Sequence, residues 1–289
     1  MYGVRGQSWI VMGDPVGPPA ESGDLVWKFR ELCDRFDGRP IFYEVGTDHL
    51  PIYIDLGLSL LKLGEEARVS LDGFSLAGSA RKDLRYLHRR VDKEGVSFEV
   101  HAPQAVRILL PELRKVSDAW LREKKAREKA FSLGSFSPEY LCHFPCALVR
   151  HRERIVAFAN IWLGADRNEM SIDLMRYLPD APKGVMDYLI VSAMLWGREE
   201  GYHWFSLGMS PLSGLENHPL APLWHRFGNL IFRNGENFYS FEGLRQYKEK
   251  FQPVWQPKYL ACPGGLAVPA ALLDVTTLIS GRNIGIVGR

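Results

Sequence analysis

The chain has 289 residues, of which 46% are hydrophobic and 24% charged, and its formal net charge is +2. This composition is typical of a globular protein and argues against a disordered or collagen-like chain. The small net charge argues against a dedicated nucleic-acid-binding protein. The length exceeds that of a usual single domain, so two domains are predicted.

No membrane span or signal peptide is expected from the sequence. The longest apolar run, residues 155–164, has about half of the roughly 20 residues that a membrane-spanning helix needs. The N-terminal residues lack a basic region followed by an apolar one, so they do not have the pattern of a signal peptide.

The first half alternates between strand and helix patterns. Its predicted elements are a strand at 9–12, a helix at 24–37 that Gly38 ends, a strand at 40–45, a helix over roughly 76–93, a strand at 96–101 and a long amphipathic helix at about 103–129. A Gly- and Ser-rich stretch at 131–137 follows and marks a domain boundary.

The second half begins with a predicted antiparallel meander. Its elements are a short helix at 138–143, strands at 147–150, 155–163 and 170–176, an apolar helix at 185–200, a strand at 202–207, a short helix from Gly243 that Pro253 ends, and a strand at 258–261. The apolar segment 266–279 is expected to pack in the core rather than on a membrane, because it lacks the basic residues of an interfacial helix. An acetyltransferase-like fold fits this order, as do other α+β arrangements.

Three segments of the two halves match in order at a constant separation of about 163 residues. Residues 32–46 match 195–208, each with a helix end, a strand and a glycine. Residues 74–78 match 239–243, and a basic helix and then a strand follow each of them, at 97–100 and 258–261. The repeat predicts two related domains, residues 1–130 and 131–289, joined through the helix at about 103–129.

Candidate site residues cluster in the second half. Asp173 lies inside an apolar strand pattern, where an acidic residue is uncommon. Arg176 follows three residues later, and in a regular strand the two would point to opposite faces. Arg245 and Lys248 share one face of a short helix, where they could bind phosphate or stabilise developing negative charge. Glu216, in a polar loop, could act as a base or bind an amine.

Each of these patterns also has a structural explanation, because isolated charges and basic helix faces are common on protein surfaces. Two further basic clusters, 81–90 and 122–129, are candidate phosphate-binding surfaces or solvated helix faces. The four cysteines lack metal-site spacing and are expected to be structural, in a reducing compartment. The motifs of dinucleotide-binding, P-loop, serine hydrolase and zinc peptidase proteins are absent from the sequence.

Six motifs together resemble one known family. They are GDPVG (13–17), KLGEEA (62–67), VSDAWL (116–121), EKAFSLG (128–134), DLMRY (173–177) and YKEKFQPVW (247–255). The sequence resembles the catalytic domain of the bacterial multiple peptide resistance factors, which are aminoacyl-phosphatidylglycerol synthases, from residue 3 to about 280. Tyr247 departs from the family pattern, in which Phe is common.

The resemblance implies a fold, a reaction and partners. The fold would be two tandem acetyltransferase-like (GNAT-type) domains joined by a long helix, with the active site in the second. The reaction would transfer an amino acid, with lysine favoured over alanine, from aminoacyl-tRNA to the headgroup of phosphatidylglycerol. This transfer would lower the negative charge of the membrane and give resistance to cationic antimicrobial peptides. No cofactor or metal is expected, and residues 180–187 lack a clear coenzyme-binding loop for acetyl-CoA.

The resemblance also implies site residues and a location. Asp173, Arg176 and Lys248 match functional positions of the family and are the expected catalytic residues. Glu216 is carried over as a substrate-binding residue, and Arg245 is the other residue expected to bind substrate. A membrane-embedded flippase domain would precede this soluble part at the cytoplasmic face of the bacterial inner membrane. Two rival functions remain open: aminoacyl transfer to a peptide or peptidoglycan precursor, and a non-catalytic module that binds RNA or lipid.

Overall fold

A computed structural model describes residues 1–215 and 241–281, and within them ten strands form one mixed sheet with helices packed against it. The strands are β1 (Tyr2–Arg5), β2 (Ser8–Met12), β3 (Arg39–Val45), β4 (Ser59–Ser70), β5 (Val96–His101), β6 (Cys146–His151), β7 (Arg154–Leu163), β8 (Glu169–Tyr177), β9 (Trp204–Pro211) and β10 (Val254–Cys262). The helices are α1 (Ser22–Arg35), α2 (Leu50–Asp55), α3 (Lys82–Lys93), α4 (Pro103–Lys124), α5 (Pro138–Leu141), α6 (Val185–Glu199), α7 (Phe241–Glu249) and α8 (Ala267–Ile279). The predicted α+β class is confirmed.

The sheet has the order β1-β2-β3-β10-β4-β9-β8-β7-β6-β5. From β1 inward, the pairings β1–β2, β2–β3 and β3–β10 are antiparallel, parallel and antiparallel. From β7 inward, β7–β8, β8–β9 and β9–β4 follow the same sequence of directions. The strands before Gly46 and Gly208, β3 and β9, therefore each have one parallel and one antiparallel neighbour.

The third match of the repeat is wrong at the level of sheet position. The strand at 97–100 lies in β5 at the edge of the sheet, where it pairs with β6. The strand at 258–261 lies in β10, at the centre between β3 and β4. A basic helix followed by a strand is a local pattern, and it does not determine which strand becomes the neighbour.

The strand β4, the longest of the ten described strands, is not among the elements predicted from the sequence. It lies at the centre of the sheet although it carries several charged residues. Their partners explain this, because Arg68 pairs with Glu169 of β8 and Glu66 pairs with Lys258 of β10, at 3.0 Å. Charged side chains can lie in a central strand when opposite charges and hydrogen bonds compensate for the loss of water.

Two predicted helices are shorter than expected at one end. Residues 76–81 precede α3 instead of forming its first turns, and Arg85 donates to the main-chain oxygens of Leu76 and Gly78 in that loop. Helix α4 ends at Lys124 and not near residue 129, because Lys125 adopts a left-handed backbone conformation (φ 48°).

The C-terminal helix α8 packs in the core, as predicted. Val268, Ala271, Leu272, Val275 and Leu278 are buried. They form one cluster with apolar side chains of β2, β3, β4 and β10. Among residues 1–215 and 241–281, no helix is both long enough and apolar enough to span a membrane.

Strands β8 and β9 separate towards their C-terminal ends. Their parallel pairing covers only Glu169–Ser171 against Trp204–Ser206, although β8 continues to Tyr177 and β9 to Pro211. Beyond this pairing, the facing edges of the two strands leave backbone groups available for side chains or ligands. This divergence positions the candidate site.

Candidate functional site

A β-bulge in β8 places Asp173 and Arg176 on the same side of the sheet. Ile161 pairs with Ile172 and Ala159 with Met175, so Asn160 of β7 stands opposite two residues, Asp173 and Leu174. The Asn160 Oδ1 atom accepts a hydrogen bond from the Leu174 N–H, at 2.7 Å, which holds the bulge. The opposite faces expected for a regular strand do not apply here, because the bulge adds a residue and shifts the alternation of side chains.

Asp173 is held by two hydrogen bonds from the segment between α4 and the end of α5. The Gly134 N–H donates to Oδ1 at 2.8 Å, and the Tyr140 hydroxyl donates to Oδ2 at 2.5 Å. These two hydrogen bonds fix the orientation of the Asp173 carboxyl group.

Arg176 contacts the end of α4 and the segment that follows it. Its Nη2 atom lies 3.2 Å from a carboxylate oxygen of Glu128, and its guanidinium lies 4.2 Å from the centre of the Trp120 ring. Nη1 donates to the Met175 main-chain oxygen at 3.0 Å. The side chain is 11% exposed, so its charge acts in a partly dehydrated place, where electrostatic interactions are stronger than in water.

Lys248 extends from α7 to the part of β9 that lies beyond its pairing with β8. The residue is 5% exposed, and its ammonium group donates to the main-chain oxygens of Gly208 and Met209, at 2.9 Å each. Burial lowers the pKa of Lys248 to about 8, although the carboxylates of Glu44 and Glu66 act in the opposite direction. Within the physiological range this side chain can therefore be a cation or lose its proton.

Glu44 is a charged residue near Lys248 that the sequence patterns do not single out. It belongs to β3 and has no partner in β10, because Tyr259 pairs with Val45 and Leu260 with Tyr43. Its backbone is left-handed (φ 63°), a conformation that costs a residue other than glycine on the order of 1 kcal/mol. The corresponding irregularity of β9 contains Gly208 (φ 76°), which adopts this conformation readily.

The charges around Glu44 form a mixed cluster at the centre of the sheet. Burial raises the pKa of Glu44 to about 7 and the charge of Glu66 adds to this, whereas Tyr43, Lys258 and Lys248 oppose it. Glu66 itself accepts a hydrogen bond from the Ser206 hydroxyl, at 2.6 Å. A sequence signal for this cluster existed, since the KLGEEA motif contains Glu66, but its place beside Lys248 depends on strand pairing.

Arg245 is engaged within the protein. Its guanidinium lies 4.2 Å from the centre of the Trp255 ring, and Nη1 lies 2.5 Å from a carboxylate oxygen of Glu65. The Ser213 hydroxyl contacts the same Arg245 nitrogen. These contacts attach α7 to β4 and to the segment after β9. Glu216, the second expected substrate-binding residue, lies outside the described residues.

The described part of the chain holds no metal-ligand cluster, and three of the four cysteines in it are buried. No group of three or more His, Cys, Asp or Glu side chains could hold a metal ion there. Cys33 and Cys146 are buried, and burial raises the pKa of each thiol to about 12. The site therefore offers one oriented carboxylate, one arginine and one lysine, which suit the binding of anionic or ester groups.

Comparisons with known proteins place the chain in a family. Residues 1–262 match the family described as "Phosphatidylglycerol lysyltransferase, C-terminal". The chain is 38% identical, over 281 residues, to a protein of Bacillus subtilis (strain 168) named phosphatidylglycerol lysyltransferase, and this covers 96% of the chain and 32% of that protein. The chain thus spans about a third of the length of the curated relatives it matches.

Two solved structures support the same assignment. One is assigned to the C-terminal domain of a putative lysylphosphatidylglycerol synthetase of Agrobacterium fabrum. It superposes with a TM-score of 0.88 at 43% identity, covering 99% of this chain and 87% of the other. The second, the L-PGS of Bacillus licheniformis, has a TM-score of 0.83 at 41% identity, with 96% and 85% covered. The chain belongs to the phosphatidylglycerol lysyltransferase C-terminal family.

Proposed function

We propose that the chain is the catalytic part of an aminoacyltransferase that moves a lysyl group from lysyl-tRNA to a headgroup hydroxyl of phosphatidylglycerol. The observation that carries the proposal is similarity over 96% of the chain to a protein named phosphatidylglycerol lysyltransferase. The names of the relatives favour lysine over alanine as the transferred residue.

The proposed reaction is a transesterification. The headgroup hydroxyl oxygen forms a bond to the carbonyl carbon of the aminoacyl ester, and the bond from that carbon to the ribose oxygen breaks. The proton of the headgroup hydroxyl ends on the ribose oxygen. The step needs an oriented hydroxyl and a stabilised oxyanion.

The candidate residues match these needs. Asp173, fixed by Gly134 and Tyr140, would orient the hydroxyl or the α-ammonium group of the amino acid. Arg176 and Lys248 would bind phosphate or stabilise the oxyanion, and both lie where burial strengthens their electrostatic effect. Arg245 would act indirectly, by attaching α7 to β4.

We also propose that the chain consists of two related acetyltransferase-like halves, residues 1–130 and 131–289, joined through α4. The equivalent strand directions around β3 and β9 support this. In this arrangement each half supplies a strand to the other, because β10 lies beside β3 and β4 lies beside β9. The first half then contributes Glu44 and Glu66 to the surroundings of Lys248.

The full-length protein would place this part at the cytoplasmic face of the bacterial inner membrane, after a membrane-embedded flippase domain. The length of the relatives supports additional domains, since the chain spans only about a third of them. Lysyl transfer replaces a net negative lipid with a net positive one, and resistance to cationic antimicrobial peptides would follow from weaker attraction.

The test is transfer from labelled aminoacyl-tRNA to vesicles that contain phosphatidylglycerol. Labelled lipid from lysyl-tRNA supports the proposal, and labelled lipid from alanyl-tRNA alone would change the donor. Label on a peptide or peptidoglycan precursor instead would support that rival function. Binding without transfer to any acceptor would indicate a non-catalytic module.

Three variants connect this activity to the site. Asp173→Asn, Arg176→Gln and Lys248→Met should each lower kcat by about 10²-fold, as expected for the loss of a positioned charge or donor. Asp180→Asn is the matched control, because Asp180 pairs with Arg154 on the exposed surface. Parent-like activity in all three site variants would contradict the site, and urea unfolding checks that each remains folded.

A further inference from the structure

The hydroxyl of Tyr140 is the meeting point of three side chains from two neighbouring strands. Tyr140 lies in α5, and its oxygen is 2.5 Å from Oδ2 of Asp173 in β8. Two residues of β7 reach the same oxygen: the indole nitrogen of Trp162 at 2.9 Å and the amide nitrogen of Asn160 at 3.4 Å.

The chemistry of these groups fixes the direction of every hydrogen bond. An indole N–H and an amide NH₂ can only donate, so the Tyr140 oxygen accepts from both Trp162 and Asn160. The two lone pairs of the hydroxyl oxygen are then in use, and its single hydrogen has Asp173 as its acceptor. The Tyr140 hydroxyl therefore cannot rotate to serve another group without breaking this set.

Asn160 connects the same hydroxyl to the bulge of β8. Its Oδ1 atom accepts from the Leu174 N–H while its Nδ2 atom donates to Tyr140, and the residue is fully buried. One amide therefore positions both the backbone beside Asp173 and the hydroxyl that binds the Asp173 carboxylate.

Trp162 connects the hydrogen bonds at the Tyr140 hydroxyl to the protein surface. The residue is 40% exposed, and its ring packs against Phe144, with 6.1 Å between the ring centres. Phe144 in turn packs against Tyr140, with 5.0 Å between ring centres. The indole orientation is thus supported on one side by an aromatic neighbour, which favours the N–H direction towards Tyr140.

We propose that Tyr140 and Trp162 are positioning residues of the transfer reaction, with Trp162 orienting the Tyr140 hydroxyl and that hydroxyl orienting Asp173. The inference rests on the proposed function for the reaction it serves. Because the Tyr140 and Gly134 hydrogen bonds occupy two of the roughly four acceptor positions of the carboxylate, they restrict the directions from which it can accept a substrate group.

The test is a double-mutant cycle with variants that keep an aromatic ring and remove the polar atom. Tyr140→Phe should lower kcat by about 10- to 100-fold, since it removes a hydrogen bond to a charged group, with little change in KM. Trp162→Phe should lower kcat by about 2- to 10-fold. The double variant should be no slower than Tyr140→Phe alone, because Trp162 acts only through the hydroxyl that is then missing.

The controls remove equivalent groups elsewhere. Tyr188→Phe also deletes a tyrosine hydroxyl that donates to an aspartate, since Tyr188 bonds to Asp92 at 3.3 Å. Trp27→Phe changes a half-exposed tryptophan of α1. Both should keep the parent kcat. A parent-like kcat in Tyr140→Phe overturns the proposal. A double variant whose fold-decrease in kcat equals the product of the two single fold-decreases overturns it as well.

A readout without substrate separates this proposal from the proposed function. Burial and the neighbouring Asp173 raise the pKa of Tyr140, so its phenol should ionise at higher pH than an ordinary tyrosine. An ultraviolet titration of parent minus Tyr140→Phe isolates this phenol. The difference between Asp173→Asn and the double variant Asp173→Asn with Tyr140→Phe isolates the same phenol without the carboxylate. This phenol should titrate at lower pH than in the parent, and an unchanged titration overturns the Tyr140–Asp173 contact. Absence of labelled lipid from a parent chain that passes this titration contradicts the proposed function alone.

Discussion

Gly134 and Asp173 are in direct contact, and the contact leaves no room for a side chain at residue 134. The Gly134 N–H donates to Oδ1 of Asp173 at 2.8 Å. A Cβ atom built on Gly134 would collide with Oδ2 and the carboxyl carbon of the same side chain. The backbone of the segment between α4 and α5 therefore packs directly against the carboxylate at residue 134.

Gly134→Ala should displace Asp173 or the segment that covers it. We expect kcat to decrease by about 10-fold or more and the free energy of unfolding to decrease by about 1–3 kcal/mol, which is typical of an overpacked position. Steady-state transfer assays and urea unfolding measure the two effects. Gly23→Ala is the control, because nothing lies near a Cβ there and alanine favours the helix α1. Parent-like activity in Gly134→Ala would show that the close approach is dispensable.

Lys248 should set the alkaline limit of activity. If the cationic form is required, kcat should decline as pH rises through about 8, since burial lowers the pKa of Lys248 to that value. The charged groups that face Lys248 are Glu44 of β3 and Glu66 of β4, and both stabilise the cation. Glu44→Gln should therefore move the alkaline limb to lower pH.

A pH–rate profile measures this limb. Lys250→Met is a control from the turn that follows α7, because Lys250 is about half exposed and pairs with Asp187 instead. It should leave the midpoint of the limb in place. A limb that stays at the parent position in Glu44→Gln would contradict the assignment of the limb to Lys248.

Glu44 should make the protein less stable at neutral and alkaline pH than at acidic pH. Burial raises the pKa of Glu44 from 4.5 to about 7, so the folded state holds the proton more tightly than the unfolded state. The resulting contribution of Glu44 to the free energy of unfolding is fully present below about pH 4.5 and is lost as pH rises through about 7. Glu44→Gln should remove this loss and raise the free energy of unfolding at pH 8 by on the order of 1 kcal/mol relative to the parent. The gain is modest because the residue keeps some exposure to solvent.

Urea unfolding of the parent and Glu44→Gln at pH 5 and pH 8 tests this expectation. Glu94→Gln is a control, because Glu94 is an exposed residue that pairs with Arg90 of α3. The difference in free energy of unfolding between Glu44→Gln and the parent should grow with pH, whereas that of the control should remain nearly constant. A constant difference for Glu44→Gln would rule out its titration in this range.

The basic cluster at 122–129 should contribute more to tRNA or vesicle binding than the cluster at 81–90. In the cluster at 81–90, Arg85 holds the loop before α3, so reversing its charge would disturb the fold. In the cluster at 122–129, Lys125 and Lys129 are exposed, and Glu128 between them contacts Arg176 of the candidate site.

Lys125→Glu with Lys129→Glu should weaken binding and flatten its dependence on salt. The slope of log K against log salt should decrease by about 2, since each phosphate that a lysine no longer neutralises keeps about one counterion. Arg89→Glu, an exposed position of the other cluster, is the control. An unchanged slope in the double variant would mean that these lysines are a solvated surface.

The local patterns of the sequence were sufficient for most of the elements. Alternating or continuous apolar residues identify β6, β7 and β8, and helical patterns identify α1 and α6, because burial of one face imposes those periods. Six short motifs were enough to indicate the family. Asp173 stood out for a physical reason, namely that an acidic residue inside an apolar strand requires a partner.

Tertiary structure decided the relations that involve distant parts of the chain. The sequence does not show that β4 and β10 occupy the centre of the sheet, because the charges of β4 are compensated by residues about 100 and 190 positions away. Nor does it show the bulge that turns Asp173 and Arg176 to one side, since Asn160, which holds it, lies on another strand. The positions of the charged groups near Lys248 and of the hydroxyl beside Asp173 depend on strand pairing and on the path of segment 125–137. Local sequence patterns carry no information on these contacts, because their energy comes from groups that meet only in the folded protein.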